Sequence, residues 1–325
     1  MGGIMRFGLI VDFRRSPAET RSSTAVYADT VEHLAHAETL GFGHALIGEH
    51  HFTDDHFVPS PLIAATAISA RTTTMRVATN VALLPLYHPV RLAEDVAVLD
   101  VLSNGRVDLG VGVGYNAVEF AGYGVAPEDI GKRANENLDI VRRLLDGDTV
   151  NGAKITPPPV QQPHPPIWVG GTSRAAVRRA ALYGDAYTGP ANPDVWRMYL
   201  EELAPTGKEP RLNLTGSPWL FVSEDPERTL ALVGPGLLHW FNEAARLAAS
   251  NNVANAGIRS MATIEDLRGV VSILTPDDMV AKIRSMVGDL PVDTFGLRLA
   301  APGLPSRDVD DHLELFASKV IPHFA

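Results

Sequence analysis

Apolar residues along this chain fall into short continuous runs, separated by longer stretches in which they recur every three or four positions. A short apolar run bounded by turn formers reads as a strand buried on both faces, and the longer period reads as an amphipathic helix that covers it. Eight runs predict strands at 7–11, 44–47, 76–78, 107–111, 167–169, 186–188, 220–222 and 294–299. Between them, Tyr27, Val31, Leu34 and Ala35 mark the face of one helix, Leu138, Val141, Leu144 and Leu145 that of another, and Val280, Ile283 and Val287 that of one near the end. The last opens on Thr275-Pro276-Asp277-Asp278, an N-cap, a proline at the first helical position and acids in the first turn. Eight alternations without a linker-like stretch predict a single α/β domain over 1–325, a (β/α)8 TIM barrel rather than an open doubly wound sheet.

Two segments break the rhythm. Residues 148–166 hold a hairpin-like Val150-Asn151-Gly152-Ala153 and then six prolines within ten residues, which reads as an excursion with a stiff return. Residues 234–269 hold a Gly-Pro-Gly break, an amphipathic piece around Trp240 and Phe241, and an Asn-rich turn region. They read as an insertion late in the barrel, and long insertions behind barrel strands are commonly lids.

Composition narrows the chemistry. The balance of 28 basic and 38 acidic groups, −10 at pH 7, repels phosphate backbones and anionic membranes, so no nucleic-acid or membrane partner is expected. The chain has no cysteine, which removes disulfides, thiolate-held metals and thiol catalysis, so redox chemistry requires a bound cofactor. The N-terminal apolar run ends at Asp12, too short for a secretory signal, and no stretch approaches the roughly 20 apolar residues of a membrane span. A cytoplasmic protein is expected.

In such a barrel the chemistry sits at the C-terminal strand ends. Behind the second strand runs Gly48-Glu49-His50-His51-Phe52-Thr53, the densest polar cluster. Neighbouring side chains on an extended segment point to opposite faces, so His50 and His51 are poorly placed to share one ion and no metal is expected. Packing and solvation are one role for the pair, and acid–base catalysis by at least one imidazole is the other. Behind the fourth strand, Gly110-Val111-Gly112-Val113-Gly114-Tyr115-Asn116 lacks the G-x-G-x-x-G spacing of a dinucleotide turn and reads as a place where a flat ring system approaches the backbone. Behind the fifth, Gly170-Gly171-Thr172-Ser173 leads into a helix. It reads as a phosphate site or as a plain glycine turn with a hydroxyl N-cap. Asn80 is placed to orient a ring carbonyl or to turn the chain, Tyr87 precedes a helix, and Lys132 and Arg133 begin another, where a cation supports a phosphate or is solvated. His33, His36 and His44 are expected at the surface, and Trp196 and Trp219 in packing.

Taken in order, Glu49-His50-His51-Phe52-Thr53, Leu84-Pro85, His88-Pro89-Val90-Arg91, Ala93-Glu94-Asp95, Asp100, Ser103-Asn104-Gly105-Arg106, Tyr115-Asn116 and Glu119-Phe120 resemble bacterial luciferase and its relatives across residues 5–145. Pro166-Ile167-Trp168-Val169-Gly170-Gly171-Thr172-Ser173 resembles a second signature of the wider family, and 292–325, with Leu315 and Val320-Ile321-Pro322, is also similar. The resemblance implies a (β/α)8 barrel, often a homodimer, that takes reduced FMN from an NAD(P)H:flavin reductase. With O2 it would oxygenate a small organic substrate through a C4a-hydroperoxyflavin. By position, His50 matches the family's catalytic histidine, and Asn80-Val81 falls where relatives hold a non-prolyl cis peptide beneath the flavin ring. Gly112, Val113 and Tyr115 would line the flavin. Gly170, Gly171, Thr172 and Ser173 would hold its phosphate with support from Arg133, and Glu49, His51, Tyr87 and Trp240 would surround the substrate. Luciferase itself has an arginine for the phosphate where this chain has Val113, with one residue fewer before Tyr115. A deazaflavin-dependent dehydrogenase on the same fold is the nearest alternative. A non-catalytic flavin-binding protein and a metal hydrolase using Glu49, His50 and His51 stand further off.

Overall fold

Strands that are apolar on both faces need cover on both, and the chain supplies it by closing a parallel sheet on itself inside a ring of helices. The computed structural model describes residues 5–17, 19–216, 219–250 and 259–324, the side chains of 249 and 250 excepted. In chain order the elements are β1 (Arg6–Val11), α1 (Ser23–Thr39), β2 (His44–Ile47), α2 (Pro61–Arg71), β3 (Arg76–Thr79), β4 (Ala82–Leu83), α3 (Pro89–Ser103), β5 (Val107–Gly112), α4 (Ala117–Gly122) and α5 (Ile130–Leu145). They continue as β6 (Ile167–Gly170), α6 (Arg174–Tyr183), β7 (Ala186–Gly189), α7 (Pro193–Leu203), β8 (Leu212–Leu214), β9 (Trp219–Val222), α8 (Pro226–Ser250), β10 (Val271–Leu274), α9 (Pro276–Val287), β11 (Val292–Arg298) and α10 (Ser306–Lys319). The strand order β3-β2-β1-β11-β8-β7-β6-β5 is closed by pairing of β3 with β5, Val77 opposite Val107, which completes the (β/α)8 barrel. The short β4 resumes the third strand after Asn80-Val81 and pairs with the end of β5.

Ile10, Leu46, Ala78, Trp168 and Ala186 fill the barrel interior as a cluster separate from the larger core between strands and helices. Two glycines make this filling possible. A Cβ on Gly296 would come within 2.9 Å of Leu46 Cδ1, and one on Gly8 within 2.9 Å of His44 Cβ. Contrary to the surface expectation, His44 is buried. Its Nε2 lies 3.2 Å from Asp108 Oδ2, and the same carboxylate accepts two 2.7 Å bonds from Arg76, so a strand position that is apolar elsewhere carries a buried ionic cluster here. His33 is buried as well, its Nδ1 2.7 Å from Asp310 on α10.

One strand assignment needs correction. The seventh barrel strand is β8, and the apolar run at 220–222 belongs to β9, which pairs with β10 in a separate two-stranded parallel sheet. β8 is hidden in sequence because it has three residues with a buried Asn213 at its centre and follows Lys208-Glu209-Pro210-Arg211. Gly234-Pro235-Gly236 also departs from expectation, since it lies inside the 25-residue α8 and does not break it. These glycines serve close packing: a Cβ on Gly236 would sit 2.1 Å from the Pro302 carbonyl oxygen, and one on Gly234 2.7 Å from Ile264. The expected insertion at 234–269 therefore starts within α8, and 251–258 of its Asn-rich turn lie outside the described residues. The hairpin at 150–153 is present, Val150 and Ala153 exchanging 2.9 Å backbone bonds around Asn151 and Gly152, both at positive φ as a type I′ turn requires.

Glu38, at the end of α1, fixes the entry to β3. Its carboxylate accepts backbone N–H bonds from Thr73, Thr74 and Met75 and a hydroxyl bond from Thr74. Burial works to raise its pKa, but these donors prevail and pull it down to about 2. A carboxyl depressed on folding contributes stability that is complete above its unfolded value near 4.5 and is lost as pH falls towards about 2. Glu38→Gln is therefore expected to cost about 1–2 kcal/mol at pH 7, with the gap to wild type closing in urea unfolding curves between pH 5 and 2.5.

Candidate functional site

The C-terminal strand ends enclose a cavity of about 600 Å³, within the range of small-molecule sites. It brings together Glu49, His50, Asn80, Val81, Gly112, Val113, Tyr115, Gly170, Gly171, Thr172, Ser173 and Trp240. His51, Tyr87 and Arg133 do not line it. His51 is buried behind Glu49, Tyr87 reaches Glu49 from outside, and Arg133 donates through Nε to the Pro85 carbonyl, 3.1 Å away.

The Glu-His-His segment leaves β2 in an extended course, so its two imidazoles diverge into two Glu–His–Tyr chains. In the first, which reaches the cavity, His50 Nδ1 lies 2.8 Å from Glu119 Oε1 and its Nε2 3.3 Å from the Tyr115 hydroxyl. Glu119, contributed by α4, is fully buried and also accepts the His51 backbone N–H at 2.8 Å. In the second chain His51 Nε2 is 2.8 Å from Glu49 Oε1 and its Nδ1 3.1 Å from the Tyr123 hydroxyl, while the other Glu49 oxygen accepts from Tyr87 and the Leu83 N–H. Burial, followed by the charge of Glu119, raises the pKa of Tyr115. Burial and Glu49 raise those of Tyr87 and Tyr123. All three phenols are thus donors at neutral pH. With a phenol donating at Nε2 and a carboxylate at Nδ1, His50 is held as the Nδ1–H tautomer, its basic nitrogen towards the cavity.

The floor is made by Val81. The Asn80-Val81 peptide is cis, and the Asn80 N–H donates to the Ile47 carbonyl at 2.6 Å. The surrounding glycines make room for this step: a Cβ on Gly110 would fall 2.0 Å from the Thr79 carbonyl oxygen, and one on Gly112 2.6 Å from Val81 Cγ2. The bareness of Gly112 thus makes room for Val81, and that of Gly110 for the Thr79 carbonyl. Across the cavity Gly171 stands at φ +125°, and Ser173 caps α6 by accepting from the Ala176 N–H at 3.3 Å. The N-cap reading of this turn therefore holds. The arrangement still presents Thr172 and Ser173 beside the positive end of a ten-residue helix. Arg174 turns away, held by Glu201 and Glu202.

Several cavity residues escaped the sequence reading. Arg14, buried, lies with Nε on Asp55 and with its guanidinium 5.3 Å from the Phe57 ring and 5.7 Å from that of Trp240. Arg298, the last residue of β11, bonds Asp12 at 3.2 Å and lies against both Trp219 and Trp240, at 4.7 and 4.5 Å. A charge inside the run Phe295–Leu299 was the available signal. Among the described residues no group of three or more His, Asp or Glu is disposed to hold a metal ion, and no helix is long and apolar enough to cross a membrane.

A family profile described as luciferase-like monooxygenase matches residues 5–290. Limonene 1,2-monooxygenase of Rhodococcus erythropolis is 28% identical over 328 residues, covering 94% of this chain and 84% of that protein. The oxygenase component of the flavin-dependent trigonelline monooxygenase of Acinetobacter baylyi is 29% identical over 175 residues, 51% of this chain and 48% of its own length. For that relative and an uncharacterised Sinorhizobium fredii protein, 37% identical over 173 residues, the match spans about half the relative's length. Among solved structures, a monooxygenase from Streptomyces bottropensis superposes with a TM-score of 0.81 at 25% identity, covering 99% of this chain and all of that one. An F420-dependent secondary alcohol dehydrogenase shares the fold, with a TM-score of 0.74 at 18% identity, covering 99% of each chain.

Proposed function

The chain belongs to the luciferase-like monooxygenase family, and on that premise we propose that it is a flavin-dependent monooxygenase that uses reduced FMN and O2 to oxygenate a small organic substrate. The observation that carries this reading is the Glu119–His50–Tyr115 chain, which aims a tautomer-fixed imidazole nitrogen into a cavity lined by Val81 and by the Gly170–Ser173 turn. The residues fit a flavin mononucleotide. Val81 offers an apolar support for a flat ring, and the Thr172 and Ser173 turn offers hydroxyls and helix N–H groups to a phosphate. When bound, reduced flavin supplies the electrons that activate O2.

The chain's own residues then do three things. Thr172 and Ser173 would hold the phosphate, Val81 would support the ring, and His50 would hold or move a proton at Nε2, with Glu119 fixing its orientation and stabilising the imidazolium. Phe57, Trp240, Ala244 and Leu247 keep the cavity apolar and exclude water. The name of the trigonelline relative, an oxygenase component, supports a separate NAD(P)H:flavin reductase as the source of reduced FMN. The phosphate assignment is tested by anaerobic titration with reduced FMN and reduced riboflavin. FMN should bind at least about tenfold tighter; equal affinity would remove the turn from cofactor binding.

A further inference from the structure

The cavity has two polar ends. Around the closed barrel β1 stands opposite β6, and β11 opposite β5. The turn at Gly170–Ser173 follows β6, so the arginines that follow β1 and end β11 face the mouth from the far side. That far side keeps buried donors without acceptors, and one acceptor, Asp55 Oδ1, without a donor. Arg14 is 3% exposed at its side chain, and its Nη2 has no hydrogen-bond partner. The indole Nε1 of Trp240 is likewise buried and unpartnered. The Arg298 side chain makes one hydrogen bond among the described residues, through Nη1 to Asp12. The indoles of Trp219 and Trp240, themselves edge-to-face, both lie against its guanidinium, at 4.7 and 4.5 Å.

A buried cationic donor without an acceptor has given up its hydration with nothing in return, and a site that keeps such donors is built to be completed by a ligand. Two guanidinium groups that both lie against the Trp240 ring and line one cavity match a carboxylate, and charged bonds of this kind are about twice as strong as neutral ones. Asp55 and Asp12 already neutralise the two arginines, so the site suits a monoanion, and a phosphate dianion would meet their repulsion. Beside it Trp240, Ala244 and Leu247 of α8 offer an apolar wall.

We propose that Arg14, Arg298 and Trp240 form a carboxylate-binding subsite, and that the substrate is a largely apolar molecule that docks its carboxylate there. This rests on the reading of the same cavity as a flavin site, whose cofactor would occupy the opposite end. Arg298 lies beyond the residues matched by the family profile.

The test is isothermal titration of 1-naphthoate and its neutral isostere 1-naphthamide into flavin-free protein and into protein saturated with FMN. Wild type should bind naphthoate at least about tenfold tighter than naphthamide. Arg14→Gln and Arg298→Gln should each abolish that preference while leaving FMN affinity within about twofold of wild type. Each substitution leaves an aspartate without its cation. If neither variant folds, the wild-type ratio and Trp240→Phe decide, the latter lowering naphthoate affinity and sparing FMN. Equal affinity for the two probes, failure of both to bind, or a variant that loses FMN in place of naphthoate would overturn the subsite. A retained preference for naphthoate in a protein that binds no FMN would uphold the subsite and defeat the flavin reading.

Discussion

Replacing His50 with alanine should leave the affinity for reduced FMN within about twofold and lower formation of oxygenated product by about a hundredfold to ten-thousandfold, the range of a lost general acid or base. The imidazole touches none of the groups assigned to the flavin phosphate. Its neighbours are Glu119, Tyr115 and Phe57. Its removal strips one donor from the buried Glu119 carboxylate, which keeps the His51 N–H, so the fold should survive at a cost of about 1–3 kcal/mol. Single-turnover product analysis with equilibrium flavin titration separates the two effects. Unchanged product yield removes His50 from the mechanism.

Glu119→Gln should come next in size, about a hundredfold loss of product with flavin affinity intact. The carboxylate serves as acceptor for both the His50 ring and the His51 backbone. If the amide oxygen keeps those bonds, the charge that would stabilise an imidazolium is gone. If the amide nitrogen faces His50, the ring is driven to the other tautomer and its Nε2 hydrogen confronts the Tyr115 hydroxyl. Because Glu119 acts only through His50, the double variant His50→Ala/Glu119→Gln should be no slower than His50→Ala alone. Additive losses would give Glu119 a role of its own.

Much of this was legible from periodicity. Strands buried on both faces write themselves as apolar runs, and seven of the eight barrel strands were found that way. β8 was not, because a three-residue strand flanked by charges and centred on asparagine carries no hydrophobic signal. Strand-end position picked out Glu49 and His50, but a strand's pattern does not say which helix will supply the carboxylate, and Glu119 is far along the chain on α4. The glycines of β5 announced a close approach without naming the partners, which include Val81 at Gly112 and the Thr79 carbonyl at Gly110. Arg14 and Arg298 became visible only when closure of the barrel brought β1 and β11 together and α8 laid Trp240 against both.

The central claim, reduced FMN with O2, is tested most directly by anaerobic titration of the protein with reduced FMN and with reduced deazaflavin, followed by admission of oxygen while absorbance is recorded. The expected result is tighter binding of FMN and, on admitting oxygen, a long-lived species that precedes oxidised flavin and that His50→Ala fails to use productively. Tight deazaflavin binding, with no such species from FMN, would contradict it and assign the cavity to hydride transfer.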